Sequence, residues 1–298
     1  MTPFRSPPGV ALALLCACTA PPIRAAELHP WIVGGSLVPP STQQALGLVS
    51  VGGGCSGTLI NRFWVLTADH CVTSNGRAGG PMQPYAALPV TAAWSARTAI
   101  PTRYERYFLS NGLDIALIFL GAGDFGNVAL QTLHVGPVEN DQRVAKYGRG
   151  IYAYARMSSG TPPVPIAALQ DGNYRVARFP ISEASAGSYA AAANGSGQVA
   201  DGGDSGGPDH LLSASGVPVG IAGVQSSCHY ATCLPGKTCS PQPGVVDWRW
   251  VSSIDVCHSA AVDGIRDRLL QVAEEGRFPC RDVSAACTVS ELTSLLLP

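Results

Sequence analysis

Short apolar runs rich in β-branched and aromatic residues, dense glycine and proline punctuation, and few charges predict an all-β fold for this 298-residue chain. The runs are Leu46 to Val51, Thr58 to Ile60, Trp64 to Leu66, Asp114 to Leu120 and Val217 to Val224, set off by turn signals such as Gly52-Gly53-Gly54. With 34 glycines and 24 prolines the chain stays under the roughly 25–30% of Gly and Pro that signals disorder. Charged residues make up 13%, about half the ~25% usual in soluble domains, and the formal net charge is -1. No basic stripe invites nucleic acid, and no long internal repeat suggests a solenoid or propeller.

At the N-terminus, Arg5 lies in a short polar start, Val10 to Ala17 form an apolar core, and small residues follow at Ala25 and Ala26. This reads as an export signal cleaved after Ala25, with Ile23 and Ala25 at the positions a signal peptidase inspects. The apolar core is shorter than the about 20 residues a membrane-crossing helix needs, so no transmembrane segment is expected and the location is secreted or periplasmic. A rival reading takes Leu15-Cys16-Ala17-Cys18 as a lipoprotein signal, which would leave Cys18 acylated as a lipid anchor. Removing the leader takes Cys16 and Cys18 from the ten cysteines and leaves an even number, which in an exported chain predicts disulfides. Cys228, Cys233 and Cys239 lack the paired Cys-x-x-Cys or histidine spacing of a zinc site, so neither metal nor cofactor is expected.

Toward the C-terminus, Val262, Ile265, Leu269, Leu270 and Val272 recur near helical spacing and predict a helix from Ala260 that Gly276 ends. Thr288-Val289-Ser290-Glu291 fits a capping box for a second helix before the final leucines.

The chemistry lies in four separated segments: Ile32-Val33-Gly34-Gly35, Leu66-Thr67-Ala68-Asp69-His70-Cys71, Asp114-Ile115-Ala116-Leu117-Ile118 and Gly203-Asp204-Ser205-Gly206-Gly207-Pro208. A serine hydroxyl is a weak nucleophile at neutral pH and needs a base to take its proton; imidazole, titrating near pH 6.5, suits that role. An aspartate can fix the imidazole tautomer and stabilise its charged form. In this order, with 44 residues from His70 to Asp114 and 91 from Asp114 to Ser205, the segments resemble the chymotrypsin and trypsin family of serine proteases over roughly residues 32 to 255.

The resemblance implies a fold of two packed antiparallel six-stranded β-barrels. Residues 1–25 would be a signal peptide, 26–31 a short propeptide, 32–135 the first barrel, 136–255 the second, and 256–298 a helical, cysteine-containing extension. His70, Asp114 and Ser205 would form a catalytic triad, with the Gly203 and Ser205 amides as the oxyanion hole. Cys55 and Cys71 match a family disulfide; the partners of Cys228, Cys233, Cys239, Cys257, Cys280 and Cys287 stay open. The family is made as a zymogen in which a new amino group, here that of Ile32, pairs with the aspartate before the serine, here Asp204. Trp31 precedes the bond to be cut, so a trypsin-like activator is not expected and self-processing is. Val199 falls at the base of the primary pocket, where an aspartate would select Arg or Lys, so an uncharged residue before the scissile bond is expected. Gly223-Val224-Gln225 would form one pocket wall and Gly244 would keep the other open. Expected partners are protein or peptide substrates and protease inhibitors, acting on a monomer.

Other readings remain. Asp124 competes with Asp114 but lies in a turn-like Gly-rich stretch, and Asp201 is a nearby acid that could restore basic specificity. Asp69 departs from the small apolar residue usual before the histidine; it is read as capping a helical turn that starts at His70, the alternative being that its charge tunes the imidazole. Gly203 to Gly207 also fits Gly-x-Ser-x-Gly, so an α/β-hydrolase esterase using Ser205, Asp247 and His258 is a second class. A catalytically silent binding protein on the protease fold is a third.

Overall fold

A computed structural model describes residues 32, 35–108, 113–121, 125, 128, 131–155, 167–192, 198, 200–230, 254–268 and 286–287. The leader, Val199, Gly244, Asp124, Asp247, Cys233, Cys239, Cys280 and the helix expected at Thr288 lie outside the described residues. The strands, in order, are β1 (Ser36–Leu37), β2 (Leu48–Val51), β3 (Cys55–Leu59), β4 (Trp64–Thr67), β5 (Val90–Ala92), β6 (Ser95–Ala99), β7 (Arg103–Phe108), β8 (Asp114–Phe119) and β9 (Leu133–His134). They continue as β10 (Arg143–Gly148), β11 (Ala153–Ala155), β12 (Ala167–Leu169), β13 (Arg175–Pro180), β14 (Ser182–Ser185), β15 (Ser188–Ala192), β16 (Pro208–Leu212), β17 (Pro218–Tyr230), β18 (Ile254–Ala261) and β19 (Ala286–Cys287). One short helix, α1 (Pro40–Ala45), and three 3₁₀ turns complete the described elements.

The all-β expectation holds. Seven strands form one sheet in the order β6-β5-β2-β3-β4-β8-β7, and ten form a second around β1-β13-β10-β16-β17-β18-β15-β14. In the second sheet β1, β9 and β19 have two residues each and are peripheral, and β6 and β7 are the edges of the first sheet. The division at residue 135 is also less clean than expected, because β1 pairs with β13 and β9 with β17, both in the second sheet.

The helix expected from Ala260 starts later. β18 runs through Ala261 as a central strand, a 3₁₀ turn covers Val262–Ile265, and α-helical residues follow at 266–268. Residues 256–261 thus belong to the second sheet and not to a helical extension. The buried ladders to β15 and β17 satisfy the backbone there and override the helical spacing of the side chains.

Packing of β4 and β8 positions the site. On β4, Trp64 and Leu66 enter the core shared with the second sheet, whereas Val65 enters the interior of the first. On β8, Ile115 and Leu117 take the first of these cores and Ala116 and Ile118 the second. Both faces of each strand are buried, so the sequence shows continuous apolar runs instead of alternation. The antiparallel register pairs Thr67 with Ala116, which brings the C-terminal end of β4 beside the N-terminal end of β8. His70 follows the one end and Asp114 begins the other.

Candidate active site

After Thr67 the chain passes through the buried, extended Ala68 into the 3₁₀ turn Asp69–Val72. Thr73 Oγ1 closes the turn by donating to the His70 carbonyl at 2.9 Å. His70 then meets Asp114 twice: its backbone N–H donates to Asp114 Oδ1 at 2.9 Å, and its Nδ1 lies 2.7 Å from Oδ2. An ionised carboxylate can only accept, so Nδ1 carries the proton, the tautomer that in a neutral ring puts the lone pair on Nε2. Ser226 Oγ also donates to Asp114 Oδ2, at 2.6 Å. Burial alone would raise the Asp114 pKa, but the hydrogen bond and charge of His70, with Ser226 and the His70 amide, outweigh it and hold the carboxyl below its ordinary value.

Ser205 approaches from the second sheet. Its carbonyl accepts the Ser56 N–H at 2.8 Å, and Gly206 N–H donates to the Gln225 carbonyl at 2.7 Å. Gly206 has φ +78°, and a side chain there would strike Thr67 Oγ1 and the Ser56 carbonyl; only glycine lets the serine loop sit against β3 and β4. Gly203 has φ +94°, and a Cβ would fall 2.7 Å from Gly150 Cα. Ser56 Oγ holds the Gly203 carbonyl at 2.9 Å. Neither the Gly203 nor the Ser205 N–H donates a hydrogen bond among the described residues, so two neighbouring donors beside the serine are available to a ligand.

Cys55 and Cys71 form a disulfide that ties β3 to the turn carrying His70. Cys71 Sγ lies 3.7 Å from both His70 Nε2 and the Ser205 carbonyl, which places the imidazole and the serine on the same side of the bridge. A bridged sulfur has no proton, so these are contacts and not donated hydrogen bonds. Among the described residues no hydrogen bond reaches the Ser205 hydroxyl, from His70 or elsewhere. Catalytic hydrogen bonds commonly tighten only with substrate in place.

Asp204 is buried, and its carboxylate accepts the Gly150 N–H at 2.8 Å and the Asp201 N–H at 2.9 Å. No cation pairs with it among the described residues. Burial pushes its pKa up to about 7, and the two amides and Lys146 only partly counter that push. Ile32 is buried among Val144, Phe179 and Tyr189. Asp201 is turned inward, 5% exposed, with Oδ1 accepting the Gly202 N–H at 2.6 Å.

Gly223, Val224 and Gln225, expected to line the primary pocket, are packed inside the second sheet. All three residues are buried; Gln225 Nε2 donates to the Tyr147 carbonyl at 3.0 Å, and a side chain at Gly223 would strike the Tyr189 hydroxyl. The segment that meets the His70–Asp114 pair is three residues further on. Ser226 reaches Asp114, and Cys228 Sγ, itself in a disulfide, lies 3.3 Å from the Ala200 carbonyl. The β17–β18 register shifts between Gln225 and Ser227, a bulge beside Ser226. No sequence motif marks Ser226 as a partner of Asp114, 112 residues away.

Asp69 does not cap the turn. It is the turn's own first residue, Ala68 is the cap, and no side-chain cap bond is made. Its wholly buried carboxylate forms a bidentate ion pair with Arg106 of β7, at 2.6 and 2.9 Å. Nothing in the sequence pairs these residues, 37 positions apart.

A family model described as trypsin matches residues 32–238, most of the chain. No curated protein matches it. With that match and the two-sheet architecture, the chain belongs to the trypsin family, the trypsin-like serine proteases.

Proposed function

We propose that the protein is an exported serine endopeptidase in which Ser205 attacks the substrate carbonyl, His70 is the base and Asp114 orients it. The observation that carries this reading is the His70–Asp114 pair, which leaves Nε2 as the free proton acceptor beside Ser205. His70 Nε2 takes the Ser205 proton as Oγ bonds to the carbonyl carbon, and the resulting oxyanion is held by the N–H groups of Gly203 and Ser205. His70 then returns the proton to the leaving amine, and water hydrolyses the acyl-enzyme by the same steps. The Cys55–Cys71 disulfide suits an oxidising compartment reached through the residue 1–25 leader.

The protein is made as a zymogen. A buried carboxylate with no cation is costly, and the amino group freed at Ile32 would supply one to Asp204. Val199 at the pocket base gives no counter-charge to Arg or Lys, so the residue before the scissile bond is uncharged. Ser226 to Cys228 replaces Gly223 to Gln225 as the opposing wall. The unbonded Ser205 hydroxyl favours one second reading, a catalytically silent protease-fold protein.

One experiment addresses these readings together. Material whose N-terminus is Ile32 is treated with a fluorophosphonate probe and then a positional peptide library, with Ser205→Ala as control. Ser205 should be labelled, cleavage should follow apolar residues, and Ser205→Ala should lower kcat by about a million-fold. Near-parental activity in Ser205→Ala sinks the triad, dominant cleavage after Arg or Lys sinks the Val199 argument, and an unlabelled Ser205 supports the silent reading.

A further inference from the structure

The residue before His70 is where the molecule departs from its family, and its surroundings are built. Asp69 is wholly buried, yet its carboxylate has three partners on two other segments: Arg106 Nε at 2.6 Å, Arg106 Nη2 at 2.9 Å and the Gly79 N–H at 2.7 Å. Arg106 stands on β7 opposite Ala116 of β8, two residues from Asp114. Its guanidinium lies 5.1 Å from the Phe108 ring centroid, and that ring packs closely on Gly79. The adjacent Glu105 ties β7 to the C-terminal helical segment, accepting from Arg268 Nε at 2.6 Å and Nη2 at 2.8 Å. β7 is thus anchored on both sides, and one of its arginines grips the turn that carries His70.

We propose that Asp69 and Arg106 act together as positioning residues for His70, a proposal that rests on reading His70 as the catalytic base. Two physical reasons support it. A bidentate guanidinium–carboxylate fork fixes orientation as well as distance, so it holds the turn while Asp114 holds the ring. The pair is also electrically balanced: an unpaired carboxylate next to the imidazole would retain its proton, and an unpaired guanidinium would expel it. The elements packed on the turn carry Asp114 on β8 and Arg103, Tyr104, Glu105, Arg106 and Tyr107 on β7; Arg77 follows in the next loop. Glu105 is matched by Arg268 and Arg103, Arg77 is exposed, and Cys71 is bridged. Of these charged groups, among the described residues, only Asp114 and the Asp69–Arg106 pair are linked to His70 or the residue before it by hydrogen bonds.

The test is the pH profile of kcat/KM and of Ser205 labelling by a fluorophosphonate, on processed enzyme whose fold is checked by circular dichroism. Arg106→Gln should move the acid limb up, and Asp69→Asn should move it down, each by roughly half to one pH unit. The double substitution should return the limb to its parental position. Each single change should lower kcat about 10-fold with KM within about twofold, and Arg106→Lys should restore the limb but not all of kcat, since lysine has no fork. Limbs that stay put, or move the same way in both single variants, overturn the proposal. If the single variants do not fold, the double variant decides: a parental limb with lowered kcat supports the proposal, and parental kcat overturns it. A parental enzyme whose Ser205 stays unlabelled at every pH marks failure of the triad reading itself, and the proposal falls with it.

Discussion

The two sheets bury different things. The first is apolar almost throughout: Val49, Val51, Leu59, Val65, Val90, Ala116 and Ile118 fill its interior, and its buried charges are Asp69 and Asp114 at the site. The second buries Lys146, Arg175, Asp201, Asp204, Asp209 and His210. At its centre Lys146 Nζ donates to Asp209 Oδ2 and to Ser259 Oγ, both at 2.6 Å, and Tyr189 OH donates to the same Asp209 oxygen at 2.9 Å. The difference teaches that one molecule sets its registers by two means. In the first sheet the apolar pattern decides which face turns inward. In the second, charges far apart in sequence must find each other, because a buried unpaired charge is expensive.

The largest expected effect breaks that contrast directly. Lys146→Met leaves Asp209 buried without its cation and should cost about 3–5 kcal/mol in urea unfolding. Adding Asp209→Leu should recover most of the loss, since a buried ion pair is worth little more than apolar residues of similar size. Leu117→Ala in the first sheet should cost about 2–5 kcal/mol through its cavity, with no partner whose change restores it. A double variant no more stable than Lys146→Met alone would remove the contrast.

A second effect, up to ~4 kcal/mol, compares two buried carboxylates by sign. Asp204, with its pKa raised to about 7, contributes stability below its ordinary value of 3.8 that is lost as pH rises through 7. Asp204→Asn in the chain still carrying residues before Ile32 should therefore match the parent in acid and exceed it above pH 7. Cleavage to Ile32 should erase the gain. Asp114, held below its ordinary value, behaves oppositely: its contribution is present above that value and fades as pH falls. Thermal melts of Asp204→Asn and Asp114→Asn across pH should diverge in opposite directions; parallel curves would contradict the assignment.

The smallest effect crosses between the sheets. Ser226→Ala removes the one hydrogen bond that the second sheet gives Asp114 and should cost about 1.5 kcal/mol, near 10-fold in kcat/KM, with KM little changed. An unchanged kcat/KM would leave Ser226 a bystander.

The contrast also tracks what could be read without coordinates. β4 and β8 stand out as apolar runs, and the motifs at their ends name His70 and Asp114 directly. Ser205 and Gly203 stand in a short motif of the same kind, and the Cys55–Cys71 bridge, expected from the family resemblance, is present. The contact of Ser226 with Asp114 was not legible, because the bulge beside it and the pairing of distant segments leave no mark in composition. The Ala260 helix began late because strand ladders outweighed side-chain spacing.

By itself the sequence determined the all-β class and the family resemblance, and it singled out His70, Asp114 and Ser205 as candidates, since each stands in a short motif of its own. Only the tertiary structure decided that Asp69 grips Arg106 and that Ser226 reaches Asp114. It also decided that Lys146 finds Asp209, 63 residues away. Such pairs depend on which strands become neighbours, and that is settled when distant apolar faces pack together and bring a charge and its partner side by side.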